Sequence, residues 1–469
     1  GVSAGEAYLS EVGSQVYAVG TNGYDITEDV KSRLAARGDQ IITNQDIPVP
    51  TWFVNYDAAD HSLQYWKTAN DCSPSGTQNA DYGTVYVQAG DSDAWQTQYA
   101  GPISKVAVDS RQSLSGREIH DFLTCYTRYD NTSAYGNALM LRGDYTDVIV
   151  NAHKSPDRYA EQKVTMPDGA TATMICTIVD IEGEPREILF YIPDNASELQ
   201  PDGAPVITVW AGGSQTNIIF FDSTCWWETA NQNGIALIFT NEAYNTSVAV
   251  TPADVDACYH AMLDLLEGWN DSGKFQFDLS RIYSTGQSMG SMESQQFAQE
   301  TPDYYAAVAS TSFYQDYPDA HSDKPIPTYL INGEGNGKDD TGTPYDDRWN
   351  RTDDWAQYFL RVNGFVYTPA VYAADGTVTT FGVPVSEPVF TVTGPYDRFE
   401  TYTWINGQDI PLVQYTNSLY RPHNCLTSEI PMLWDFLEHY RCERDEDGAV
   451  TARYYSASAF ERDDQVLIQ

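Results

Sequence analysis

The sequence predicts an α/β fold, a mostly parallel sheet with helices on both faces, preceded by a smaller region of related pattern. Three observations carry this expectation. From about residue 170 to 445, short strand-like runs bounded by turn residues alternate with stretches of helical periodicity. The runs at 205–210 and 235–239 are continuously apolar, as strands buried on both faces are. A third run breaks at Gly286-Gln287-Ser288-Met289-Gly290 and passes straight into a helical stretch.

The elements follow in order. Residues 172–179 and 188–192 read as paired strands before a Pro/Asp/Gly turn. The run at 205–210 ends in Ala211-Gly212-Gly213, a buried strand opening into a loop, and 235–239 is the next strand. Residues 252–269 carry Val255, Met262, Leu263 and Leu266 at helical spacing with acidic residues between them. Strand 281–285, helix 289–301 and strands 306–309 and 327–331 continue the rhythm. Polar loops are expected from there to about 418, with β-like pieces at 368–372 and 389–392 and a Trp-bearing helix after the acidic loop. An amphipathic helix at 429–441 closes the region. Residues 136–169 read as a linker and lead-in strand, and 446–469 as a C-terminal tail.

Residues 1–135 echo the end of this region. Pro50-Thr-Trp-Phe-Val-Asn55 resembles Pro327-Thr-Tyr-Leu-Ile-Asn332, and Glu118-Ile-His-Asp-Phe-Leu123 resembles the helix around Asp435-Phe-Leu437. The chain also starts Gly1-Val2-Ser3-Ala4-Gly5, a second G-x-S-x-G. The spacing predicts a degenerate half-repeat or accessory lobe. Ser3 lacks a strand before it, and the position matching His423 falls near Asp109 with no histidine beside it, so no catalysis is expected there.

Composition narrows the partners. With 66 acidic against 26 basic side chains the formal charge is −40, which repels nucleic acid and anionic lipid. The acidic residues are scattered, as on a charged globular surface. No apolar run is long enough to span a membrane. The seven cysteines form no C-x-x-C pair, which argues against zinc ribbons and thioredoxin-like redox sites, while disulfides fit an exported protein. A secreted or cell-surface location is expected, with any signal peptide already removed. No cofactor or metal is expected.

The pentapeptide suggests chemistry. A serine hydroxyl is a poor nucleophile until a base takes its proton and a third group orients that base. Gly286 and Gly290 permit a tight strand-to-helix turn that lifts the Ser288 hydroxyl above the sheet. Asp278-Leu-Ser-Arg281-Ile-Tyr-Ser-Thr-Gly-Gln-Ser288-Met-Gly resembles the elbow segment of the polyhydroxybutyrate depolymerase and feruloyl esterase group. So do Val209-Trp-Ala-Gly-Gly-Ser214-Gln-Thr and the following Trp226 and Gly234-Ile-Ala-Leu-Ile-Phe. The resemblance covers about residues 170–440 and implies an α/β-hydrolase fold and a serine esterase working through an acyl-enzyme. It further implies an oxyanion hole from the backbone N–H of Met289 with that of Gly213 or Ser214.

The base is expected in a loop before the last helix, which selects His423 in Tyr420-Arg-Pro-His-Asn-Cys425; His439 falls inside that helix and His260 on an earlier one. The acid should follow strand 327–331. Asp340, in Asp340-Thr-Gly-Thr-Pro-Tyr345, matches the resemblance, but an insertion before it leaves Glu334 as a rival. Trp226 and Trp227 are placed either to line an acyl or aromatic pocket or to fill the core. Feruloyl, acetyl or short polyester bonds are the expected substrates. Elbow and triad alone do not separate an esterase from a peptidase, or from a binding protein on the same scaffold.

Overall fold

The computed structural model describes residues 147–243 (save 167, 182 and 214), 252–333, 346–368, 397–418 and 427–469 (save 446, 447 and 460–463). It also describes 50–55, 72–87, 105–123 and shorter pieces. Ser3, Ser214, Glu334, Asp340 and His423 lie outside the described residues.

The chain divides into two compact units, one chiefly of residues 1–143 and one running from Asp144 to the C-terminus. The second is built on a sheet of eleven strands. In chain order these are β1 (Tyr159–Thr165), β2 (Thr171–Ile181), β3 (Glu184–Pro193), β4 (Ala204–Trp210), β5 (Ala236–Ala243) and β6 (Phe277–Gly286). Then come β7 (Ala307–Thr311), β8 (Thr328–Gly333), β9 (Val389–Thr393), β10 (Asp397–Ile405) and β11 (Pro411–Ser418). Their spatial order is β1-β2-β3-β5-β4-β6-β7-β8-β11-β10-β9. Strands β5, β4, β6, β7, β8 and β11 run parallel, and antiparallel pairs flank them on both sides.

Strands β4 and β6 lie side by side, with Trp210 opposite Gly286, although β5 intervenes in the chain. The crossovers therefore leave this pair in opposite directions, and in open α/β sheets ligands bind at the carboxyl ends of such a pair. Both strands are buried along nearly their whole length, so their continuous apolar runs follow from having layers on each face.

The helices are α1 (Asp147–Lys154), α2 (Asn217–Thr224), α3 (Trp226–Asn233), α4 (Pro252–Ser272), α5 (Met289–Glu300), α6 (Asp346–Val362) and α7 (Glu429–Leu437). Helix α5 packs on β4, β6 and β7, α7 on β7 and β8, and α3 on β3 and β5. The Trp-bearing helix expected after the acidic loop is α6.

Three expectations need correction. The region taken for polar loops up to 418 holds the hairpin β10–β11, whose second strand is a parallel member of the main sheet. The last helix stops at Leu437, and His439 sits in the turn after it, its Nδ1 2.7 Å from the Ser456 carbonyl. Residues 446–469 are no tail, because Val450–Tyr455 pairs with Tyr440–Arg444 and then with Val466–Leu467.

The first unit holds a four-stranded sheet in the order Thr51–Val54, Lys105–Asp109, Gly83–Val87, Thr77–Asn79. Its first pair is parallel and the next antiparallel, followed in chain order by the helix Gly116–Leu123. The second unit has the same sequence of order and sense in β8-β11-β10-β9, followed by α7. Asp109 ends its strand where Ser418 ends β11, and its carboxylate is taken by Arg111 at 2.7 Å.

Candidate active site

The candidate nucleophile stands where β6 turns into α5. Ser288 holds φ 58° and ψ −116°, a conformation residues other than glycine seldom adopt. Such a residue costs about 1–3 kcal/mol and persists only when its surroundings over-determine it. Those surroundings are on either side. The Gln287 N–H donates to Trp210 O at 3.3 Å, the Ser288 N–H to Thr311 O at 3.2 Å, and the Met292 N–H to Ser288 O at 3.0 Å. Gln287 also bridges Thr311 in the parallel sense, which extends the β6–β7 ladder into the turn.

Both glycines of the pentapeptide are forced by close approach. A Cβ on Gly286 would lie 2.2 Å from Gly290 O, and one on Gly290 would lie 1.9 Å from Trp210 O. The turn is thus pressed against the end of β4, which also starts the Gly212-Gly213 loop.

That loop abuts the elbow. The Gly212 N–H donates to Gln215 Oε1 at 3.0 Å, and the Gln215 N–H donates back to Gly212 O at 3.1 Å, closing a tight turn. A Cβ on Gly212 would meet Gln287 Oε1 at 2.6 Å, and one on Gly213 would meet Met289 Sδ at 2.6 Å. The loop therefore comes up against both neighbours of Ser288. Met289 is the first residue of α5, so its N–H has no acceptor within the helix and sits at the positive end of the helix dipole. Met289 is 47% exposed. Two of the three expected oxyanion residues, Gly213 and Met289, are brought together; Ser214 is not described.

The amino end of β6 is pinned by charge. Arg281 Nε bonds Asp278 Oδ2 at 2.8 Å with both side chains buried, and Arg281 Nη2 donates to Gln200 Oε1 and Gly203 O. Burial raises the Asp278 pKa, but Arg281, Ser280 and Arg441 outweigh it and hold the carboxyl below its usual value. Asp278 and Arg281 thus form an i,i+3 ion pair within the segment that carries the resemblance.

Behind the elbow lies a buried hydroxyl and carboxyl cluster that sequence reasoning missed. Ser291 Oγ donates to Phe313 O at 2.6 Å and lies 2.9 Å from Ser310 Oγ, and Gln295 Nε2 donates to Ser310 Oγ at 2.6 Å. The Thr311 hydroxyl donates to Glu429 Oε2 at 2.8 Å, with Glu429 wholly buried in the first turn of α7. Ser312, next to Thr311, has φ 75°. Glu293 in α5 is also buried, and burial lifts its pKa to about 8. No pattern of apolar spacing marks these residues; only the G-x-S-x-G context pointed near them.

The loops carrying His423 and the two candidate acids leave from the carboxyl ends of β11 at Ser418 and β8 at Gly333, the end of the sheet where Ser288 stands. Five other histidines are engaged elsewhere. His153 Nε2 lies 2.8 Å from Glu187, His260 3.0 Å from the Tyr304 hydroxyl, His120 3.3 Å from Asp121, and His439 against Ser456. His321 forms a tight pair with Asp316 at 2.6 Å, but its neighbour Ser322 is bonded to Gln299. Along α5 that residue is about 16 Å from Ser288, so this imidazole–carboxylate pair is a strut and not the base.

Trp226 and Trp227 are each 1% exposed and take the core role, the second of the two expected for them. Cys176 and Cys442 are buried free thiols.

No protein family matches the chain by sequence, and no curated protein does. Among solved structures it is similar to the acetyl xylan esterase from Aspergillus awamori, at 14% identity and a TM-score of 0.36 over 56% of this chain and 99% of that one. It is also similar to an S-formylglutathione hydrolase from Agrobacterium tumefaciens, at 10% identity and a TM-score of 0.37 over 59% and 97%. A glucuronoyl esterase from Solibacter usitatus matches at 12% identity and a TM-score of 0.35 over 60% and 84%. The fold itself rests on strand order and on the elbow at the β6–α5 turn: the second unit is an α/β-hydrolase fold.

Proposed function

We propose that the protein is a serine esterase. Ser288 Oγ attacks the ester carbonyl while His423 takes its proton, and the N–H groups of Met289 and of Gly213 or Ser214 hold the negative oxygen. Collapse of the tetrahedral intermediate breaks the ester C–O bond, and the alcohol leaves with the proton from His423. Water, deprotonated by His423, then cleaves the acyl-enzyme and regenerates the hydroxyl. Asp340 orients the imidazole, with Glu334 as the alternative. The observation that carries this reading is the backbone of Ser288, at φ 58° and ψ −116° between a buried strand and a helix start, with Gly213 against Met289.

The substrates are feruloyl, acetyl or short polyester bonds, and the protein works outside the cell membrane. The amino-terminal unit is a non-catalytic half-repeat, supported by the strand order it shares with the end of the second unit.

A panel of p-nitrophenyl acetate, methyl ferulate and polyhydroxybutyrate tests the substrate class. Turnover of at least one, abolished in H423A, is expected; no turnover of any of them, or full turnover by H423A, would sink the reading. D340N and E334Q tested separately decide the acid, the expected outcome being loss of turnover in D340N alone.

A further inference from the structure

We propose that Glu429 and Thr311 form a latch that positions the nucleophile, a deeper reading of the same site that rests on Ser288 being the reactive serine. The chain of contacts is short and continuous. Glu429 Oε2 accepts the Thr311 hydroxyl at 2.8 Å, and Thr311 O accepts the Ser288 N–H at 3.2 Å. Glu429 and Thr311 are both buried, on elements far apart in the chain: the first turn of α7 and the end of β7.

Strain explains why the site needs such a device. Ser288 and Ser312 both sit at positive φ, one on each side of the Ser288–Thr311 hydrogen bond. Two strained residues at one crossing relax unless the backbone between them is held. Thr311 is the residue placed to hold it, since its carbonyl faces the elbow and its hydroxyl is tied to α7. A buried carboxyl is costly to leave without a hydrogen-bond donor, and the Thr311 hydroxyl supplies one. Neither residue touches the substrate; both act through Ser288, so these are positioning residues.

Removing the hydroxyl while keeping the shape isolates the role. A fluorophosphonate titrates the reactive serine to its end point, so turnover is expressed per competent site and unfolded protein is not counted. T311V is expected to lower kcat per titrated site by about tenfold, the order of loss that small misplacements of a reacting group produce, with KM little changed. T311S, which restores the hydroxyl, should recover most of it, and E429Q should also, because an amide oxygen still accepts the bond. Adding T311V to E429A should cost no more than E429A alone, since both break one link. Wild-type kcat per site in T311V, or equal loss in T311V and T311S, would overturn the latch while leaving the esterase reading intact. Absence of wild-type labelling would overturn both. Should T311V fail to fold, E429A carries the same expectation with E429Q as its rescue.

Discussion

Ser288 is held in a costly backbone conformation by hydrogen bonds from the Gln287 N–H to β4 and from its own N–H to β7, and the glycines two residues to either side are where that strain is made possible. Gly290 leaves no room for a methyl group, since its Cβ would lie 1.9 Å from the Trp210 carbonyl. G290A is therefore expected to cost on the order of 3 kcal/mol and to abolish activity, because the clash is with backbone that cannot swing away. Gly268, inside α4 with nothing within 4 Å of its would-be Cβ, is the contrasting site. G268A should stabilise by about 0.5–1 kcal/mol through a stiffer unfolded chain and better helix propensity. Urea unfolding of the two variants checks the pair, and equal midpoints would contradict it. The pentapeptide was legible from its spacing because glycine has few other reasons to recur at that interval. The partners of Ser288 in Thr311 and Glu429 were not, because a buried hydroxyl or carboxyl has no period and only long-range contacts bring it to the site.

Helix α5 shows what an element can conceal. Its sequence is polar, yet Ser291, Ser294, Gln295 and Gln299 are fully buried, bonding to one another's neighbours rather than to water. Glu293 in the same helix has its pKa lifted from 4.5 to about 8 by burial. In that window the unfolded chain releases a proton that the folded chain keeps, so stability falls as pH rises from about 4.5 to about 8. The slope is at most about 1.4 kcal/mol per pH unit and levels off above the folded pKa. E293Q removes this contribution, so its advantage over wild type should grow between pH 5 and pH 8 in denaturant unfolding. Parallel curves for the two would rule the effect out. The same polarity explains which strands were legible. β4 and β5 announced themselves as apolar runs, whereas β11, Pro-Leu-Val-Gln-Tyr-Thr-Asn-Ser, alternates with polar residues and read as loop. Its neighbour β10 pairs with it antiparallel over nearly its whole length, a register no local signal encodes.

At the scale of the whole molecule, two features stand out: the charge and the repeated strand order. A formal charge of −40 on 469 residues makes the folded state repel itself. Salt screens such repulsion over about 10 Å at 0.1 M. The melting temperature is therefore expected to rise between 10 mM and 500 mM sodium chloride, followed by circular dichroism, and a flat or falling trend would contradict this account. The shared strand order was legible only as two short echoes, because the strands of the first unit differ in length from those at the end of the second and match them in few residues. Order and sense in the sheet carry the likeness further than residues do. The central claim remains the serine at the β6–α5 turn. Intact-mass analysis after treatment with an activated fluorophosphonate tests it most directly. One adduct on the wild-type protein, mapped to the peptide holding Ser288 and absent from S288A, is the expected result; equal labelling of the two proteins, or none of the wild type, would contradict it.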